Sequence, residues 1–212
     1  AALERYWGYT SFRPLQQAVA QGQYEFPHGL FYGGLRLEPG PRAWLDWLQR
    51  RLAGTQYLFA LDMHTGLGRW GSETLVAEAG ACASGLRTLR RALQRPHIGM
   101  PLAESAAYAI RGGMGAMLPR TLRGTRIDFL LQEIGTYPPL RVLHALREEN
   151  RMQRHAGNRH HLHHPAKTRL REALCPAAPG WRRRAVALGT ALARAAAACS
   201  LHQEKEHELR TG

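Results

Sequence analysis

Two short apolar runs interrupt an otherwise mixed pattern, Tyr57 to Asp62 and Arg126 to Gln132. Each is too short for a core helix and ends near glycine, which predicts a buried strand. Glu73 to Glu78 reads as a third, weaker strand. Apolar residues at helical spacing fill much of the remainder. Pro41 to Leu52 carries Trp44, Leu45, Trp47, Leu48 and Leu52 on one face, with proline in its first turn. Ser84 to Leu93 turns Leu86, Leu89 and Leu93 inward. Ala106 to Leu122 is helical in part, weakened by Gly112, Gly113 and Gly115. Leu140 to Met152 is an amphipathic helix, and Ala166 to Leu174 and Trp181 to Leu201 are two more. Leu3 to Ala20 reads as two short helices broken at Pro14. Between these lie Gln23 to Gly34, a loop rich in glycine and aromatics that lies over a neighbour, and Pro96 to Ser105, a second loop. His155 to Pro165 is His-rich and irregular, and Gln203 to Gly212 a frayed end. Strands separated by helices predict an α/β sheet. We divide the chain into an α/β portion (1–154), a His-rich loop (155–165) and C-terminal helices packed on the same domain (166–212).

Composition narrows this picture little. A chain of 212 residues, 44% of them hydrophobic, holds one domain with a real core. The longest apolar stretch, Ala185 to Cys199, is short and interrupted by Arg194, so no membrane span is expected. The first residues lack the basic-then-apolar pattern of a signal peptide. Three scattered cysteines, Cys82, Cys175 and Cys199, argue against a disulfide framework and for a cytoplasmic setting. The formal net charge is +13. Nearly all of it is arginine, abundant beside alanine, as GC-rich coding would produce. A solvated basic surface is therefore the simpler reading, and nucleic acid is not the expected partner.

The chemistry sits at the ends of the two strand runs. Leu58-Phe-Ala-Leu-Asp-Met-His64 opens into a turn containing Gly66, Gly68 and Gly71. Asp62 and His64 lie two residues apart and share a strand face. A neutral imidazole is a good zinc ligand, and Asp62 is placed to orient a neighbouring ligand. Thr65 and Gly66 stand on the substrate side of the same turn. The second run delivers Glu133, followed by Gly135-Thr136; such a carboxylate serves as a general base. Taken singly, His64 reads as a hydrogen-bonded strand cap and Glu133 as a solvated carboxylate. His155, His160, His161, His163 and His164 form a rival metal tract, though its irregular backbone favours a solvated loop. Trp181-Arg-Arg-Arg184 could stack on a base and contact phosphates, but reads better as a helix start with Trp181 folded inward.

Several strings in order carry a resemblance. They are Gly22-Gln-Tyr24, Pro27-x-Gly-Leu-Phe-Tyr-Gly-Gly34, Leu61-Asp-Met-His-Thr-Gly-Leu-Gly68, Glu133-Ile-Gly-Thr136 and Val142-Leu-His-Ala-Leu-Arg-Glu-Glu-Asn150. Together they resemble the zinc-carboxypeptidase-like superfamily, in an uncharacterised branch related to aspartoacylase and succinylglutamate desuccinylase. The resemblance implies a mixed α/β sheet flanked by helices, and hydrolysis of amide or peptide bonds in small peptides or N-acyl amino acids. It also implies zinc as cofactor, His64 as the third zinc ligand and Glu133 as the catalytic glutamate. The superfamily draws its first two ligands from an upstream His-x-x-Glu, and this sequence contains none. The expectation is thus the C-terminal part of a hydrolase domain, with little activity alone and a tendency to self-associate. The alternative is a non-catalytic basic binding protein of the same fold.

Overall fold

The structure, a computed structural model, describes residues 22–99, 113–156 and 163–211. The helices expected within Leu3 to Ala20, the stretches 100–105 and 106–112, and His160 and His161 lie outside the described residues. Ten elements follow in order: α1 (Pro39–Arg51), β1 (Tyr57–Gly66), β2 (Glu73–Cys82), α2 (Leu86–Ala92), β3 (Ile98–Gly99), α3 (Met114–Thr121), β4 (Arg126–Gly135), α4 (Pro139–Ala156), α5 (Pro165–Leu174) and α6 (Pro179–Thr211). The fold is α/β, a mixed four-stranded sheet flanked by helices. The strand order is β1-β4-β2-β3. β1 runs parallel to β4, β4 antiparallel to β2, and β2 parallel to β3.

The register of β1 on β4 sorts their side chains onto two faces. On one face Leu58, Ala60, Ile127, Phe129 and Leu131 pack with Leu48 of α1 and Leu118 and Leu122 of α3. On the other, Phe59, Leu61 and Leu130 pack with Leu89 of α2 and Leu192 of α6. β4 is central and buried along almost its whole length.

Several expectations need correction. β1 is half-buried, because it is the edge strand of the described sheet. Both strands also run on to glycine, so His64 and Glu133 lie within strands and not beyond them. A two-residue strand, β3, falls inside the expected loop at Pro96. His155 belongs to α4, and α6 continues through the expected frayed end to Thr211. Its last turns are rich in Glu, Lys and Arg, good helix formers. The apolar part of α6 is longer than the expected Ala185 to Cys199. Residues Pro179–Leu201 are long and apolar enough to cross a bilayer, although Trp181, Leu192, Ala196 and Cys199 within them are buried. The loop after Gly22 is held by its own hydrogen bonds through the Gln23 amide and leaves Tyr24, Phe26, Leu35 and Leu37 exposed.

Candidate functional site

β1 and β4 run parallel, so their carboxyl ends lie at one edge of the sheet, where open α/β sheets bind ligands. His64 pairs in register with Glu133, and Gly66 with Gly135. On the far side of β4, Thr74 of β2 is the antiparallel partner of Glu133. His64, Glu133 and Thr74 therefore stand side by side on one face across three strands. Asp62 stands on that face two residues below His64, with its Oδ1 2.9 Å from His64 Nε2. That contact orients the ring and leaves Nδ1 as the other ring nitrogen. His64 and Thr65 are exposed, and the Thr65 hydroxyl donates to the Leu174 carbonyl (2.6 Å), tying the edge to the end of α5.

Glu133 is the buried member, 9% exposed. One oxygen, Oε1, accepts from the Leu67 backbone N–H at 2.8 Å. Burial pushes its carboxyl above the usual glutamate range. The Leu67 amide and the His64 imidazole pull it down, and the Asp62 carboxylate pushes it up. All three sequence-identified groups thus act on one another electrostatically. A carboxylate whose proton is held more tightly than usual, with one oxygen left open, is suited to general acid–base work.

A knot of main chain holds the edge in place. Gly135 N donates to Ser72 O, and Gly135 O accepts from Gly71 N, both at 2.9 Å. The same carbonyl accepts from the buried indole N–H of Trp181 at 2.8 Å. A Cβ on Gly135 would stand 2.0 Å from the Arg69 carbonyl, so no other residue allows this approach. Gly68, at φ +105°, bends the chain back to make it. Thr136 secures the parallel pair by donating to Gly66 O at 3.0 Å. Trp181 is therefore a structural anchor, as its helix-start reading expects, while Arg184 beside it donates to Gly71 O.

Sequence reading found His64, Asp62 and Glu133 but missed Thr74 and the Leu67 amide. Thr74 needed the antiparallel register, and a backbone donor leaves no residue-type signal. It also passed over the opposite end of the same strand pair. There Asp128, fully buried, accepts from the Tyr57 hydroxyl (2.7 Å), the Ser84 N–H (2.9 Å) and the Ser84 hydroxyl.

The donors among the described residues do not make a complete zinc site. Among the described residues no group of three or more His, Cys, Asp and Glu side chains could hold a metal ion. His64 with Asp62 behind it suits one ligand position, whereas a catalytic zinc needs three from protein. His155, His163 and His164 of the rival tract form no such group either.

The fold and edge define an α/β protein with a histidine and a glutamate paired at the carboxyl ends of two parallel strands. The chain belongs to a family of proteins of unknown function, DUF2817, whose model matches residues 1–188. No curated protein and no solved structure matches it.

Proposed function

We propose that this edge is the proton-transfer part of a hydrolase centre acting on amide or peptide bonds, in the manner of the zinc-carboxypeptidase-like superfamily. The observation that carries the reading is the in-register pair His64 and Glu133, with Glu133 buried and its carboxyl raised. Glu133 takes a proton from the attacking water and delivers it to the leaving amine. The Leu67 amide holds one of its oxygens, leaving the second to meet the water. His64, steadied by Asp62, serves as one ligand of a zinc ion in this reading. Zinc would polarise the scissile carbonyl; among the described residues only His64 is placed to hold it. Small peptides or N-acyl amino acids are the substrate class. A second reading, a non-catalytic basic binding protein, draws support from the incomplete donor set and the net charge of +13.

The test is hydrolysis of N-acyl amino acids and short peptides by the 212-residue chain with added zinc. The first reading expects slow turnover that Glu133→Gln reduces by about 10²–10⁴, or to background. Equal rates in the two proteins would remove Glu133 from any mechanism and leave the binding reading. The edge of β1, unpaired among the described residues, belongs to the same proposal, because such an edge is a template for a second copy. Sedimentation should show self-association at micromolar concentration, and a strict monomer would contradict it.

A further inference from the structure

Between α4 and α5 lies an open cavity of about 430 Å³ that the hydrolase reading does not use. The volume falls within the range of small-molecule sites. We propose that this cavity binds a small organic carboxylate, with Arg151 as the group that pairs with its anionic end. The charges on the cavity wall support this. Glu148 is already matched: Arg169 Nε lies 2.8 Å from its Oε2, and His144 Nε2 lies 3.6 Å from its Oε1. Arg151 and His155 also line the cavity, and neither has a hydrogen-bond or ion-pair partner among the described residues. Among the described residues of the wall one uncompensated positive charge remains, that of Arg151, with histidine counted neutral. A carboxylate monoanion balances it and accepts two parallel hydrogen bonds from a guanidinium.

One further feature fits an anion here. His164 caps α5, and its Nδ1 accepts from the Ala166 N–H at 3.1 Å. Ala166 and His164 also put the positive end of the α5 dipole at the cavity wall. The remaining wall is apolar. Met152 and Ala166 give the ligand's hydrocarbon part a surface that inorganic phosphate has no use for.

The experiment is an amide-resolved NMR titration of the whole chain with hexanoate, acetate, inorganic phosphate and hexylammonium. Hexanoate should saturate and shift the amides of Met152, Ala166 and Lys167, binding at least about tenfold tighter than acetate or phosphate. Hexylammonium should leave those amides unmoved. Arg151→Met should weaken hexanoate about tenfold or more without lowering the melting temperature, since Arg151 is exposed. Met152→Gln should weaken hexanoate while leaving acetate as it was. Hexanoate binding untouched by Arg151→Met would overturn the proposal, as would phosphate binding as tightly as hexanoate, or hexylammonium shifting the same amides.

Discussion

The two ends of the β1–β4 pair hold the same kinds of group and treat them in opposite ways. At the amino-terminal end, Asp128 is sealed from water and receives three hydrogen bonds, from the Tyr57 hydroxyl and from the amide and hydroxyl of Ser84. Burial and the neighbouring carboxylate push the Tyr57 phenol far above its usual range, so it stays a donor. Nothing in that network remains to be satisfied. At the carboxyl-terminal end, Glu133 is nearly as buried but, among the described residues, holds only the Leu67 amide as a direct donor, beside an exposed imidazole and a second carboxylate. A saturated buried carboxylate is a structural part. A buried carboxylate with spare acceptor capacity, open on one side, carries a stability cost that function would explain.

Mutations should separate the ends in stability before activity is considered. The largest effect is expected from Asp128→Ala, which strands the Tyr57 and Ser84 donors in the interior. We expect a loss of roughly 3 kcal/mol or more in chemical denaturation; a loss under about 1 kcal/mol would show that the network is not the lock it resembles. Gly135→Ala comes next. Its methyl would force the Arg69 carbonyl away and part the turn from β4, at a cost of about 1–3 kcal/mol. If the melting curve stayed unchanged, the knot at this edge would be loose.

Glu133→Gln should act in the other direction. Because the folded-state pKa of Glu133 is raised, the stability its protonated form contributes is present below its ordinary value of 4.5 and is lost as pH rises through the folded value. Glutamine keeps the acceptor for Leu67 and has no proton to lose. The melting temperature of the variant should match wild type at pH 4 and exceed it increasingly toward pH 7. A constant difference across that range would place Glu133 in an ordinary solvated setting. The smallest effect is expected from His64→Ala, within about ±0.5 kcal/mol, because the ring is half exposed. A large loss there would turn the carboxyl end into a structural lock as well.

Much of this contrast was legible in the sequence. The apolar runs named both strands, and the polar residues at their ends named Asp62, His64 and Glu133. What the sequence could not express was register. Only the pairing of Tyr57 with Arg126, carried along ten residues, brings His64 beside Glu133 and Thr74 to its other flank. The Asp128 network had a signal that went unused, since a carboxylate inside the apolar run of a central strand must find donors. β3 had none, because two residues make no pattern. The edge position of β1 is likewise a property of strand order and not of its own residues. The reach of α6 was underread because its charged last turns lack apolar periodicity while keeping helix propensity.

The central claim is that Asp62, His64 and Glu133 form one electrostatically linked site. Its most direct test follows the Glu133 carboxyl carbon by NMR through a pH titration, in wild type, His64→Ala and Asp62→Asn. The account predicts a midpoint above the usual glutamate range in wild type. It should move further up when His64 is removed and down when the Asp62 charge is removed, the signs set by the neighbours each variant deletes. A Glu133 that titrates like a solvated glutamate, at the same midpoint in all three proteins, would contradict the claim.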